Sequence, residues 1–149
     1  GLADVNRLIR DSRSVGEVKF YLKKMFTEAM RRRDEQAERK YGSLLQTACQ
    51  YIDEQYANED ISLNTVANKV NISPSYFSSI FSREMGRTFV EYLTGVRLEK
   101  AKELLMCSHL NSAEIAYRVG YKDPHYFGYL FKKSVGCTPR EYRTRGGRD

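Results

Sequence analysis

The sequence predicts an all-α protein with two copies of a short two-helix unit, joined by a long linker helix and preceded by an N-terminal helix. Three observations support this prediction. A segment of 21 residues from Pro74 to Thr94 recurs 50 residues later with nine identical positions. Apolar residues in and around the repeat follow the three- and four-residue spacing of amphipathic helices. Capping residues, prolines and glycines mark where these helices begin and end.

Length and composition are typical of a globular chain with a sizeable core. The 149 residues include 25 Lys and Arg against 19 Asp and Glu, which gives a formal charge of +6. The charge is uneven: +4 over residues 1–43, −4 over 44–60 and +6 over 61–149. A basic body with a local acidic patch is typical of a protein that turns one face to a polyanion. On charge alone, an ordinary solvated surface explains the numbers equally well.

Several other classes of protein are not indicated. No apolar run approaches the ~18 residues of a transmembrane helix, and the start lacks a signal-peptide pattern, so we expect a cytoplasmic, nucleoid-associated protein without membrane contact in this segment. Cys49, Cys107 and Cys137 make no paired spacing and are expected to be small buried hydrophobic residues. Both histidines stand apart from any metal-ligand or triad partner. We therefore expect no enzyme activity, metal or cofactor.

The N-terminal segment, residues 1–43, is predicted to form an N-terminal linker or signalling helix, separate from the long helix that joins the two units. Ser14 and Glu17 match a capping box at its start. Five apolar residues follow at three- and four-residue spacing: Val15, Val18, Leu22, Met25 and Ala29. This stripe indicates a signalling or dimerisation helix, and a helix that packs locally is the alternative. Because the chain opens with Gly1, we also expect an upstream receiver or sensor domain to be missing.

The domain proper is predicted to span residues 44–149. A polar stretch ends near Tyr41 and Gly42, where we expect the N-terminal helix to stop. Apolar spacing then resumes, so residues 43–58 should form the first helix of the domain, with Leu45 turned inward.

Each copy of the repeated unit is predicted to begin with a short helix and a tight turn. In the first copy Ser62 caps the helix and Asn71 ends it. In the second copy Asn111 and Glu114 form a capping box, and Gly120 ends the helix. Asn and Gly are the residues that best tolerate the left-handed backbone which a sharp turn between helices requires.

A second helix in each copy starts with a capping residue followed by proline, at residues 73–74 and 123–124. The predicted inward faces are Phe77, Ile80, Phe81 and Met85 in one copy, and Phe127, Leu130, Phe131 and Val135 in the other. Two helices around a sharp turn form a helix-turn-helix motif. We therefore predict such motifs at about residues 62–86 and 111–136.

A long linker helix is predicted between the two motifs, from Thr88 to about Cys107, because this segment is rich in strong helix formers. At ~1.5 Å per residue it would span about 30 Å. Successive major-groove faces of B-DNA lie ~34 Å apart. The linker thus has the length to hold two helices in adjacent grooves, and one chain would then read an asymmetric site.

Three segments in this order, "PSYFSSIFSREMGRTFVEYL", "RLEKAKELL" and "EIAYRVGYKDPHYFGYLFKKSVGCTPREYR", resemble the DNA-binding domain of the AraC/XylS family of bacterial transcription regulators over about residues 44–145. The resemblance implies a sequence-specific regulator that binds double-stranded DNA and recruits or positions RNA polymerase. Response-regulator-type members further suggest the output part of a two-component system. A homodimer through the N-terminal helix or the missing domain is a further expectation. The alternative is a helix-turn-helix module used for protein–protein interaction.

Base contact is predicted for the outward residues near the starts of the two recognition helices, at positions that face the groove in the family. They are Ser75, Ser78, Ser79, His125, Gly128 and Tyr129. Serine hydroxyls discriminate bases poorly. The family often has Arg or another long polar residue in place of Ser79, so direct readout by the first motif is in doubt. His125 could bond a purine N7, and Tyr129 could pack on a thymine methyl or reach a phosphate.

Phosphate contact is predicted for six basic residues along, just after or in the turn before the recognition helices. They are Arg83, Arg87, Lys122, Lys132, Lys133 and Arg140. Such contacts orient a protein on the duplex without reading its sequence. About five of them would give a salt slope of roughly −4 to −5. Routine surface charge is the alternative for each residue.

Overall fold

The computed structural model describes residues 15–146. Seven helices lie in this range: α1 (Val15–Gln55), α2 (Leu63–Lys69), α3 (Pro74–Met85), α4 (Phe89–Cys107), α5 (Ser112–Arg118), α6 (Pro124–Val135) and α7 (Pro139–Thr144). The range contains no strand, which confirms the all-α prediction with two helix-turn-helix motifs, α2–α3 and α5–α6. Of these helices, none is both long enough and apolar enough to cross a bilayer. The chain divides into two compact units, Gly1–Ser43 and Leu44–Asp149.

The predicted break between the first two helices is wrong, because α1 continues through Tyr41 and Gly42 to Gln55. Gly42 does not adopt a positive φ angle, and nothing lies within 4 Å of its missing Cβ. A single glycine in a helix costs only about 1 kcal/mol, and no proline or competing cap follows it to stop the helix. The predicted capping residue Ser14 lies outside the described residues, and so does the side chain of Glu17.

Residues 15–43, the described part of the first unit, are helical and rich in ion pairs. Arg31 pairs with Glu28 at 2.6 Å and also with Glu35. Hydrogen bonds from Arg31 and Arg32 lower the pKa of Glu28 to about 2. Apolar side chains are also exposed along this helix; Phe20 is 64% and Leu22 45% exposed.

The linker helix and the last helix both begin at capping boxes. The Thr88 hydroxyl accepts the Glu91 backbone N–H, and the Glu91 carboxylate accepts the Thr88 backbone N–H at 2.7 Å. Thr138 and Glu141 repeat this arrangement at the start of α7. In both boxes, hydrogen bonds from the threonine backbone N–H hold the pKa of the glutamate carboxyl below its usual value.

The two tight turns have the left-handed backbone that the sequence predicts. Asn71 has φ +56° and Gly120 has φ +101°. After the turns, the Ser73 side chain accepts the Tyr76 backbone N–H, and the Asp123 side chain accepts the backbone N–H two residues later. Helices α3 and α6 therefore start at the prolines that follow these caps.

Three aromatic rings at equivalent positions of the repeat hold each two-helix unit. These trios are Phe77, Phe81 and Tyr92 in the first copy, and Phe127, Phe131 and Tyr142 in the second. Successive ring centroids lie 5.3 and 5.5 Å apart in the first trio, and 5.8 and 5.6 Å apart in the second. All four phenylalanines are fully buried. Each such pair contributes about 0.5–1.5 kcal/mol beyond its buried area, so the repeat duplicates a packing arrangement as well as a sequence.

Helix α4 lies between the two motifs and packs against α3, α5 and α7. Its buried residues are Phe89, Leu93, Arg97, Leu98, Ala101 and Leu105. Its last residue, Cys107, is exposed, so the expectation that all three cysteines are buried is wrong. Cys137 is buried and Cys49 is half-buried. Cys107 stays outside the core because it ends the helix two residues beyond Leu105, on a different face.

Arg143 of α7 joins the last helix to the end of the linker helix. Its Nε donates to the carbonyl of Leu105 at 2.9 Å, and its Nη2 donates to the carbonyl of Leu110 at 2.6 Å. The last carbonyls of a helix have no partner within the helix. Arg143 satisfies one such group and a loop carbonyl, and thereby ties the second motif to α4.

Candidate nucleic-acid interface

The first recognition helix, α3, buries one face and leaves the other open. Phe77, Ile80 and Phe81 are 0–2% exposed. Of the predicted contact residues, Ser75 and Ser79 are exposed, and Ser78 is half-buried. The three serines therefore lie on the part of the helix that does not form the core.

The second recognition helix, α6, has the same arrangement with different outward side chains. His125 is exposed and Tyr129 is 60% exposed. Gly128 lies one residue after the buried Phe127, and nothing lies within 4 Å of the position a Cβ would take. A histidine, a tyrosine and open space between them thus replace the three serines of α3.

Basic residues extend the outward side of α6 toward its end. Lys132 and Lys133 are both exposed, and the Lys133 Nζ lies 5.9 Å from the centroid of the Tyr129 ring. Arg140, on α7, is also exposed. A long cationic side chain beside an aromatic ring suits a surface that meets both phosphates and bases.

The basic residues near α3 already have partners within the chain. The Arg83 Nε lies 2.7 Å from the Glu84 carboxylate. The guanidinium of Arg87 lies over the ring of Tyr92, with its central carbon 4.7 Å from the ring centroid. Because both arginines are exposed, these contacts are screened by water and are readily exchanged for others.

Lys122, in the turn of the second motif, pairs with the acidic loop that follows α1. Its Nζ lies 3.0 Å from the Asp60 carboxylate and 3.7 Å from the Glu59 carboxylate. The hydrogen bond to Asp60 raises the pKa of Lys122. A phosphate contact by this residue would have to replace both ion pairs, and its assignment to the DNA backbone stays a prediction.

A buried arginine on the inward face of the linker helix, Arg97, was not among the residues predicted from the sequence. Only 8% of Arg97 is exposed. Its Nε donates to the carbonyl of Tyr56 at 2.8 Å, and its Nη2 donates to the carbonyl of Asn58 at 2.9 Å. Burial lowers the pKa of its guanidinium. A signal was present in the sequence, because Arg97 stands four residues from both Leu93 and Ala101 on the apolar stripe.

The predicted base-contact residues form two groups, one on α3 and one on α6. Between the two helices runs α4, which has 19 residues and therefore a length of about 28 Å. Both groups lie near the start of their helices, after the capping residues Ser73 and Asp123. The roles of these residues toward DNA stay predictions.

Comparison with known proteins gives a consistent result for the second unit. A family model described as a helix-turn-helix domain matches residues 66–145. The arabinose operon regulatory protein of Escherichia coli is 34% identical over 96 residues, which are 64% of this chain and 33% of the relative. The same regulator from Salmonella typhimurium is 34% identical over 101 residues, 68% of this chain and 36% of its own length. The chain thus spans about a third of the length of these curated relatives.

A solved structure is also similar to this chain. The C-terminal domain of AraT, a response regulator from Geobacillus stearothermophilus, is 42% identical with a TM-score of 0.67; the match covers 68% of this chain and 84% of that one.

Proposed function

Since the chain belongs to the AraC-type helix-turn-helix family of transcriptional regulators, we propose that it binds double-stranded DNA sequence-specifically through two recognition helices. Helices α3 and α6 enter adjacent major grooves on one face of the duplex. The complete protein is a transcriptional regulator in which this segment supplies the contact with DNA.

The duplicated helix and the length of its linker carry this proposal. In each copy the aromatic face of the recognition helix is fully buried, so the opposite face is free to enter a groove. Helix α4 supplies about 28 Å between the motifs, and adjacent major grooves on one face lie ~34 Å apart. One chain can therefore present two reading helices without a second subunit.

The two recognition helices contribute unequally to base readout in this proposal. On α6, His125 offers ring nitrogens to a purine N7, and Tyr129 offers an apolar ring to a thymine methyl. On α3 the contact residues are serines, whose hydroxyls both donate and accept and so discriminate bases weakly. We expect the α3 half of the site to be read more through DNA shape and through phosphate contacts.

The experiment that tests the proposal is selection of bound sequences from a random duplex pool, followed by footprinting. Two protected patches about one helical turn apart on one face are expected. A single patch would mean that only one motif engages DNA. If no sequence is enriched, and any association is insensitive to salt and competitor DNA, the domain is instead a protein-binding module.

We predict that His125→Ala changes the base preference at one position of the selected sequence, because it removes one hydrogen-bonding ring from the groove. The loss of one such contact lowers affinity for the preferred base by about 1–3 kcal/mol. The matched control is His109→Ala, since His109 is also exposed but lies between α4 and α5. If the motif selected by His125→Ala is the same as that of the unmodified chain, the assignment of His125 is wrong.

We also propose that the segment is the output part of a signal-responsive regulator. The similarity to the C-terminal domain of AraT, described as a response regulator, supports this assignment. Helix α1 would then connect an upstream receiver or sensor to the DNA-binding unit. Recruitment or positioning of RNA polymerase by the bound protein completes the proposal, and transcription from a selected site with purified polymerase tests it.

A second copy of the chain is the proposed partner of the exposed apolar residues on α1. Leu22, Met25 and Phe26 are 45%, 36% and 69% exposed, and apolar side chains at this three- and four-residue spacing favour pairing of helices. We expect Leu22→Glu with Met25→Glu to abolish concentration-dependent dimerisation in sedimentation equilibrium. Thr27→Glu with Gln36→Glu adds the same charge at exposed polar positions and should leave association intact. A chain that is monomeric without any substitution would contradict this proposal.

A further inference from the structure

Arg97 binds two backbone carbonyls in the segment that directly follows α1. Its guanidinium is buried and donates to the carbonyls of Tyr56 and Asn58, the segment just after Gln55. Asn58 is held in place in turn, because its side-chain oxygen accepts the Asp60 backbone N–H at 2.9 Å. A buried guanidinium that binds two carbonyls at once fixes both position and orientation, since its donors form a rigid planar fork.

The turn of the second motif packs against the same guanidinium. The central carbon of Arg97 lies 5.1 Å from the centroid of the Tyr121 ring. A Cβ on Gly120 would lie only 2.8 Å from the Arg97 Nη2 and 2.6 Å from the carbonyl oxygen of Tyr56. The backbone of the turn therefore packs tightly against both the segment after α1 and Arg97, and no space remains for a Cβ at Gly120.

The end of α1 belongs to the first motif through its own contacts. The ammonium of Lys69, on α2, lies 5.6 Å from the centroid of the Tyr51 ring. Burial, and next the neighbouring Cys49 thiol of α1, raise the pKa of Tyr92, a member of the first aromatic trio, to about 12. Arg97 thus links a segment packed on the first motif to the turn of the second motif.

We propose that Arg97 is a positioning residue that fixes the second helix-turn-helix motif relative to the first, and thereby sets the number of base pairs between the two DNA segments that the protein reads. This inference rests on the proposed function of α3 and α6 as paired recognition helices. Lys122, paired with Asp60 and Glu59 across the same boundary, adds a weaker contact because it is exposed.

A purely structural role for Arg97 makes a different prediction from a positioning role. If Arg97 only stabilises the fold, its loss lowers affinity for every DNA by the same factor. If it sets the distance between the motifs, its loss lowers the penalty for a wrong spacing. One inserted base pair moves the second half-site by ~3.4 Å and turns it by about 35° around the duplex axis, which a fixed pair of helices cannot follow.

The test compares the DNA sequence selected by the unmodified chain with versions that carry one base pair more or fewer between the protected patches. For the unmodified chain we expect the altered spacing to weaken binding by about tenfold or more. For Arg97→Lys, which keeps the charge but loses the planar fork, we expect that penalty to fall to about threefold or less. Arg39→Lys, an exposed arginine of the first unit, is the matched control and should keep the full penalty.

A penalty for altered spacing that is the same in Arg97→Lys and in the unmodified chain overturns the proposal. If Arg97→Lys does not fold, as judged by circular dichroism, Asn58→Ala replaces it. This exposed substitution removes the side-chain oxygen that accepts the Asp60 backbone N–H, and it leaves in place the Asn58 carbonyl, which also accepts the Ile61 backbone N–H. It should reduce the spacing penalty in the same direction by a smaller factor, and an unchanged penalty would again overturn the proposal.

A measurement without DNA separates this inference from the proposed function. Spin labels at Ser79→Cys and Tyr129→Cys, with Cys49 and Cys107 replaced by serine, report the distance between the recognition helices. We expect a wider distribution of distances when Arg97→Lys is added. If no DNA is selected but the distribution widens, the proposed function fails while Arg97 still positions the motifs; an unchanged distribution refutes the positioning role itself.

Discussion

Replacing Gly120 with alanine is expected to destabilise the protein by about 2–5 kcal/mol. Two separate causes contribute. The residue has φ +101°, a conformation that side chains with a Cβ rarely adopt, and the new Cβ would lie 2.6 Å from the carbonyl oxygen of Tyr56. That oxygen is backbone and already accepts from Arg97, so it cannot move away without breaking the contact. Chemical denaturation followed by circular dichroism measures the change.

The matched control is the same substitution in open surroundings. Gly42 lies within α1, has no positive φ and has nothing within 4 Å of its missing Cβ. Gly42→Ala should therefore stabilise the helix by about 0.5–1 kcal/mol. Equal effects of the two substitutions would show that the turn of the second motif is not tightly packed against Arg97 and α1.

Replacing Lys132 and Lys133 together with alanine is expected to weaken binding to all selected DNA sites by about 60-fold at about 0.1 M salt. This figure follows if each ammonium displaces counterions from one phosphate, because the slope of log K against log salt would then fall by about 1.8. Both side chains are exposed on α6, so the loss of their stems should cost little stability. Binding isotherms at several salt concentrations give affinity and slope together.

A control double variant carries the same loss of charge elsewhere. Lys23 and Lys24 are both exposed on α1, and their replacement with alanine should leave the salt slope unchanged. The sequence preference should also stay the same in both double variants, since phosphate contacts do not distinguish bases. A reduced affinity with an unchanged slope for Lys132→Ala with Lys133→Ala would argue against phosphate contact.

The helices of the second unit could be predicted because their ends are set by local hydrogen bonds. Thr88 with Glu91, and Thr138 with Glu141, satisfy backbone N–H groups within three residues, so spacing alone identifies them. The left-handed turn at Asn71 follows from the same local rule. The repeat then predicts that the second copy folds like the first.

The end of the N-terminal helix could not be predicted from such signals. Gly42 looked like a stop, yet one glycine without a cap or a following proline costs too little to end a helix that continues into a buried face at Leu45 and Ala48. Whether a helix continues depends on the packing that follows. A window of ten residues does not contain that information.

The position of Arg97 on the apolar stripe was visible in the sequence, but the acceptors of Arg97 and Arg143 could not be predicted, for a related reason. Arg97 and Arg143 donate to backbone carbonyls between 33 and 41 residues away. A carbonyl acceptor has no identity in the sequence, so no pairing of residue types reveals such contacts. The outward residues of α3 and α6 could be assigned to a helix face by periodicity, but periodicity does not name the base that a side chain meets.

The aromatic trios suggest how the duplicated unit can change its task. The inward rings are the same residue types in both copies, while the outward positions differ at each of the pairs Ser75/His125, Ser78/Gly128 and Ser79/Tyr129. If α3 and α6 read DNA as proposed, folding stability and target choice depend on separate sets of side chains. Substitutions on the outward face of one copy can therefore accumulate without disturbing the buried rings that fold both copies. A single polypeptide thus carries two recognition helices that can diverge independently.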